Sequence, residues 1–126
     1  AERNRGVFER FLEYLTTGDV EGVESMLAAD VIMLSDSAGE FRAASVPVKS
    51  RTNVAKLFLS LAKKLPPAQM EARLINGVWS YVMQRPPLPG LAPLWMMQTE
   101  LDEEGRIRRI YLVLATHKLA AVRPLQ

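Results

Sequence analysis

The feature that most constrains this chain is a change of hydrophobic period at Pro66-Pro67. Before the prolines, apolar residues recur every three or four positions, as on the buried side of an amphipathic helix. After them, apolar and polar residues alternate, which is typical of a half-buried strand. Helices early in the chain and hairpins late in it predict an α+β domain with a mainly antiparallel sheet, because parallel sheets need helices and strands in alternation.

Three helices are predicted before the change of period. The first covers residues 2–16 and stops at Gly18. Asp19 is a residue type that favours an N-cap, so a second, short helix should begin there and end near Asp30. The third helix begins near Thr52 and runs to the proline pair, where the missing backbone N–H and the proline ring end it.

Extended segments are predicted at residues 31–34, 41–48, 70–75, 78–84, 94–101 and 106–114. Turn residues 36–39 separate the first two segments. Asn76-Gly77 suits a type I′ hairpin, because both of its central residues need a positive φ. A loop rich in proline follows at residues 85–93, and the last two segments form a second hairpin across residues 102–105.

The segment Leu94-Trp95-Met96-Met97 is apolar on both faces. One face should meet the helices, and no helix remains to cover the other. An exposed apolar patch of several hundred Å² is unusual on a monomer. We therefore expect the outer face to be buried against another domain or, when the domain is isolated, against a second copy in a homodimer.

Length, charge and cysteine content limit the number of domains, the partners and the location that we expect. The 126 residues fit one domain spanning 1–126, and the formal net charge of +2 is too balanced for direct binding of nucleic acid. The chain has no cysteine, no apolar run of membrane-spanning length and no signal peptide, so we expect a cytoplasmic location and no membrane contact. Its start at Ala1 predicts a trimmed chain or a segment of a longer one.

A few residues could carry chemistry. The single histidine, His117, cannot supply a two-histidine metal site, and it is interpreted as structural or superficial. Trp79, Trp95 and Met97 are explained by core packing, or alternatively as walls of an apolar ligand cavity. Asp36 is explained as a turn residue, or alternatively as a pocket carboxylate. Neither a metal nor a cofactor is expected.

In this order of elements the chain resembles a SnoaL-like domain of the nuclear transport factor 2-like superfamily over nearly its whole length. The resemblance implies a cone-shaped, cystatin-like roll in which about three helices pack on a curved, mixed, mainly antiparallel sheet. The segments that carry it are Gly18-Asp19, Ala29-Asp30-Val31 and Arg51-Thr52-Asn53-Val54-Ala55.

The chain is more narrowly similar to the SnoaL-like domain at the C-terminus of certain extracytoplasmic-function sigma factors. Those domains carry Asp-Gly-Gly-Gly-Lys in an early turn and Asn-Pro-Asp-Lys-Leu near the end. The corresponding segments here are residues 36–40 and 115–119, in which Asp36, Gly39, Lys118 and Leu119 agree. The resemblance implies that these residues contact the sigma factor's DNA-binding regions or their linker, and that the domain thereby modulates transcription initiation.

The same superfamily includes ketosteroid isomerases and polyketide cyclases, which need a carboxylate base and an oxyanion hole. By the resemblance, Asp36 matches the base, whereas Phe11 and Met97 stand at the positions of the two oxyanion donors. Isomerase chemistry is therefore disfavoured, and we expect a non-catalytic regulatory domain with a candidate ligand pocket. The alternatives are a free-standing small-molecule binding protein, a cyclase- or isomerase-like enzyme, or a dimerisation module. The candidate pocket residues are Phe11, Asp36, Trp79, Trp95 and Met97.

Overall fold

The computed structural model describes residues 2–36, 46–64, 69–75 and 77–114. Its helices are α1 (Glu2–Thr17), α2 (Val20–Ser25) and α3 (Arg51–Lys64). Its strands are β1 (Leu27–Asp36), β2 (Val48–Lys49), β3 (Gln69–Ile75), β4 (Val78–Gln84), β5 (Leu94–Leu101) and β6 (Ile107–Val113). Within these ranges, no helix is both long enough and apolar enough to cross a membrane.

The strands form one sheet in the order β2-β1-β6-β5-β4-β3. Neighbouring strands are antiparallel except β1 and β6, which run parallel and are paired from Leu27 with Ile107 to Asp36 with Val113. The predicted α+β class with a mixed, mainly antiparallel sheet is therefore confirmed.

The helical hairpin at the start of the chain follows local capping rules. Gly18 has φ +72°, the left-handed conformation in which glycine ends a helix without the strain of a Cβ. The carboxylate of Asp19 then accepts a hydrogen bond of 2.9 Å from the backbone N–H of Gly22, as an N-cap does. Both predicted roles are present.

The prediction that the second helix reaches Asp30 is wrong. The helix α2 ends at Ser25, and β1 begins at Leu27. Leu27 pairs with Ile107 of β6, and the N–H of Ile107 donates to the carbonyl of Met26 over 2.8 Å. Pairing with a distant strand therefore overrides the local helical spacing.

The predicted strand at residues 41–48 lies mostly outside the described residues, and only Val48–Lys49 is seen as β2. The predicted turn at residues 36–39 also lies outside them, apart from Asp36. In the first hairpin, β4 has the predicted bounds and Gly77 has φ +78°, as its turn requires.

The three helices cover one face of the sheet, here called the inner face. Phe8, Phe11 and Leu15 of α1 are buried against it, and the ring centroids of Phe8 and Tyr81 are 4.1 Å apart. The inner face carries alternate residues of the strands, because successive side chains of a strand point to opposite sides. Its fully or largely buried members are Val31, Met33, Tyr81, Met83, Trp95, Met97, Ile107 and Ile110.

Candidate functional site

Three of the five pocket candidates lie together on the inner side of the sheet. Phe11, Trp95 and Met97 belong to one core cluster and are 0%, 7% and 4% exposed. Phe11 also packs edge-on against Phe58 of α3, with ring centroids 5.7 Å apart. The space between helices and sheet is thus occupied by apolar side chains at these positions, as the core-packing interpretation expects.

Trp79 lies on the same face but nearer the edge of the sheet. It pairs with Leu74 of β3 and alternates with Tyr81, which is buried under α1. Trp79 is only partly buried. Trp79 therefore lies at the edge of the inner face with part of its side chain accessible to solvent.

Asp36 lies on the opposite face. It pairs with Val113, whereas its neighbour Ser35 pairs with Leu112, a residue that packs against the core. The carbonyl of Asp36 accepts a hydrogen bond of 2.7 Å from the N–H of Leu114, which holds the end of β1 to the end of β6. The strand register separates Asp36 from Phe11 and Met97.

The other motif residues, Gly39, Lys118 and Leu119, lie outside the described residues, as does His117. Their roles remain predictions. Among these motif residues, Asp36 belongs to the described part of the chain, where it lies at the end of the strand pair formed by β1 and β6.

Sequence reasoning missed Arg85, the residue after β4. Its guanidinium carbon lies 4.2 Å from the centroid of the Trp95 ring, in cation–π contact. The guanidinium atoms Nε and Nη1 are buried and have no hydrogen-bond acceptor among the described residues. Burial lowers the pKa of Arg85. The signal in the sequence was the alternation Tyr81, Met83, Arg85, which continues the inner face of β4 by one more residue.

The outer face of the sheet is mixed in character. Leu94 and Met96 of β5 are partly buried there, and Leu34 is 37% exposed. Ser80 and Val82 lie on this face too, yet both are 0% exposed. The outer face is therefore covered at Ser80 and Val82, whereas Leu34 on β1 and Val78 at the start of β4 expose apolar surface.

Glu100 and Arg108 form an ion pair on the outer face. Arg108 donates from Nε to Glu100 over 3.0 Å, and the hydroxyl of Tyr111 donates to the same carboxylate over 3.4 Å. The hydrogen bond from Arg108 is the main cause that lowers the pKa of Glu100 and, reciprocally, raises the pKa of Arg108. This ion pair balances one positive and one negative charge at the surface.

No protein-family model matches the chain, and no curated protein matches it. Solved structures do match. One is a polyketide cyclase-like protein of Sinorhizobium meliloti, with a TM-score of 0.63 and 11% sequence identity. The match covers 85% of this chain and 93% of that protein. Another is a nuclear transport factor 2-like protein of Burkholderia xenovorans, with a TM-score of 0.59 and 14% sequence identity. The match covers 98% of this chain and 98% of that protein. The chain has the SnoaL-like fold of the nuclear transport factor 2-like proteins.

A further match is the extracytoplasmic-function sigma factor SigJ of Mycobacterium tuberculosis. It covers 100% of this chain with a TM-score of 0.78 at 22% identity. The chain spans 46% of that sigma factor's length, so more than half of the sigma factor has no counterpart here.

Proposed function

We propose that this chain is a non-catalytic regulatory domain that acts as the C-terminal module of an extracytoplasmic-function sigma factor. In this role it contacts the DNA-binding regions of the same polypeptide and modulates transcription initiation. The observation that carries the proposal is the match to a sigma factor over the whole chain, with a TM-score of 0.78 against 0.63 for the cyclase-like neighbour. A cytoplasmic location follows from this role.

The residues at the would-be catalytic positions support a non-catalytic role. Phe11 and Met97 offer no hydrogen-bond donor, and both are buried in the core. Removing one oxyanion donor costs an enzyme about 3 to 4 kcal/mol of transition-state stabilisation. Asp36, which the resemblance matched to the catalytic base, lies on the other face of the sheet by strand register.

The charges favour a protein partner over DNA. Arg73, Arg106 and Arg108 each form an ion pair, with Glu71, Glu104 and Glu100 respectively. DNA-binding proteins use Lys and Arg side chains to neutralise the phosphates, and an arginine already paired with a glutamate is less available for that contact. With a net charge of +2 over the chain, the domain is suited to act through the sigma factor's own DNA-binding regions.

The first test of the proposal is the gene sequence upstream of the codon for Ala1, and the second is a transcription assay. A gene with no sigma-factor regions upstream of Ala1 would disprove it. Where those regions are present, RNA polymerase carrying the complete protein should transcribe from its promoter at a different rate from polymerase carrying a version that stops before Ala1.

Substitutions within the complete protein then locate the contact. Asp36→Ala and Lys118→Ala should each reproduce part of the effect of removing the domain, since the resemblance assigns these residues to the interdomain contact. Lys63→Ala is the matched control, because Lys63 is an exposed lysine in the last turn of α3 and does not belong to the motif segments 36–40 and 115–119. If all three variants behave like the unmodified protein, the contact does not use the motif.

The alternative is a free-standing small-molecule binding protein or a cyclase-like enzyme. The cyclase-like neighbour favours it, and so do the Nε and Nη1 atoms of Arg85, which lack an acceptor among the described residues. The discriminating observation is again the gene: a reading frame that begins at or near Ala1 favours the free-standing protein.

A further inference from the structure

The guanidinium of Arg85 has an unusual environment for a cation. It stacks on Trp95, which is 7% exposed, and its Nε and Nη1 atoms are buried without a hydrogen-bond acceptor in the described part of the chain. Arg85 as a whole is only partly buried, but buried polar atoms such as these two nitrogens normally have hydrogen-bond partners, because an unsatisfied donor is destabilising. The ring quadrupole of Trp95 offsets part of this cost but accepts no hydrogen bond in the guanidinium plane.

The backbone holds this cation in place. The N–H of Arg85 donates to the carbonyl of Pro93 over 2.9 Å and closes the loop of residues 86–92 at its base. Within the loop, Leu88 and Leu91 form a bridge, and Gly90 with φ +76° makes the turn between them. Proline fixes φ at four positions of residues 85–93. Arg85 is therefore presented by a stiff loop at the end of the inner face.

We propose that Arg85 is an anion-binding residue, and that with Trp95 it binds the carboxylate of a small organic acid with an apolar body. A guanidinium binds a carboxylate through two parallel hydrogen bonds, and each of its two forks includes Nη2 together with either Nε or Nη1. Nε and Nη1 are covered by the surrounding protein, so a carboxylate that satisfies either of them must first displace the groups that cover it.

The surroundings specify the apolar body. Trp95 pairs with Met83, and Met83 also pairs with Met70 of β3. Methionine and aromatic side chains adapt to apolar ligands of varied shape. The site goes beyond the proposed role in transcription and does not depend on it.

The test measures the fluorescence of Trp95 during titration with sodium octanoate and, in parallel, with 1-octanol. The chain has two tryptophans, so the Trp79→Phe background leaves Trp95 as the reporter. Octanoate should change the emission saturably and raise Tm, whereas octanol should do neither at the same concentration. Monocarboxylates from acetate to dodecanoate extend the series, and affinity should increase with chain length.

Variants in that background assign the effect to Arg85. Arg85→Gln should weaken octanoate binding by about ten- to a hundredfold, as expected for loss of charge-assisted hydrogen bonds. Arg106→Gln is the control, because Arg106 is an exposed turn residue paired with Glu104, and it should leave binding unchanged.

A second readout distinguishes ligand binding from a structural role. Without ligand, Arg85→Gln should have a Tm no lower than the parent, since it removes two buried nitrogens that lack an acceptor in the described part of the chain. If Arg85→Gln fails to fold, Arg85→Lys keeps the charge, loses the fork, and should bind octanoate more weakly than the parent. Equal responses to octanoate and octanol, full binding by Arg85→Gln, or no saturable response to any of the monocarboxylates would overturn the proposal.

Discussion

Adjacent methionines on β5 should respond in opposite ways to the same substitution. Met97 is 4% exposed on the inner face and pairs with Tyr81 and Leu112, whereas Met96 is partly buried on the outer face and pairs with Val82 and Val113. We predict that Met97→Glu disrupts the fold and that Met96→Glu yields a folded monomer from a chain that otherwise forms a homodimer.

The magnitudes follow from burial. Glutamate is close to methionine in size, so Met97→Glu leaves little cavity, and its main cost is that of burying an unpaired carboxylate, several kcal/mol. This cost is comparable with the whole stability of a domain, about 5 to 15 kcal/mol. Met96→Glu should change the free energy of unfolding by about 1 kcal/mol, a typical cost for a partly exposed site. A dimer contact gains about 25 cal/mol per Å² of apolar area, which a charge at Met96 would oppose.

The assay combines thermal unfolding by circular dichroism with sedimentation velocity at high micromolar concentration. Met96→Leu is the control, because it keeps the apolar volume and should keep the dimer. Equal stability of the two glutamate variants would refute the assignment of faces. A monomeric unmodified chain would refute the homodimer, and the outer face would then be left for a domain of the longer protein.

Three further predictions concern capping, pH and catalysis. Asp19→Ala should lower the free energy of unfolding by about 1 kcal/mol in urea titrations, because the N–H of Gly22 loses its acceptor; an unchanged midpoint would contradict the cap. Arg108 holds the pKa of Glu100 below its usual 4.5, so the stability from this pair is present at neutral pH and is lost as pH falls through the lowered pKa. In urea titrations, Glu100→Gln should accordingly lower the free energy of unfolding slightly at pH 7 and leave it unchanged at pH 2. The chain should not isomerise a generic steroid enone. Turnover that is abolished by Asp36→Asn would show instead that the chain is an isomerase with Asp36 as its base.

Local pattern was sufficient for much of the fold. The bounds of β4 and the caps at Gly18 and Asp19 follow from alternation, glycine and capping chemistry, which act over a few residues. The segment from Leu27 to Asp30 was assigned to a helix because Val23 and Leu27 have helical spacing. The strand forms there because β6 pairs with it, and no local pattern contains that information.

The candidate site was predictable only in part. The burial of Phe11 follows from the helical spacing in α1, but alternation alone did not decide which residues of β5 face inward; Phe11, Trp95 and Met97 lie together in the core. The face of Asp36 depends on the register between β1 and β6, and a shift of one residue would reverse it. Arg85 was missed because an arginine beside prolines reads as an exposed loop residue until its contact with Trp95 is seen.

The parallel pairing of β1 with β6 also has a consequence for biosynthesis. The first strand to leave the ribosome finds its main partner in the last strand of the described chain. The helices can form early, but the sheet that they cover is incomplete until β6 has been made. Contacts between segments so far apart in sequence slow folding, because the intervening chain must be closed into a loop first. A nascent chain stalled before Ile107 should therefore remain sensitive to protease, and release of the complete chain should make it resistant.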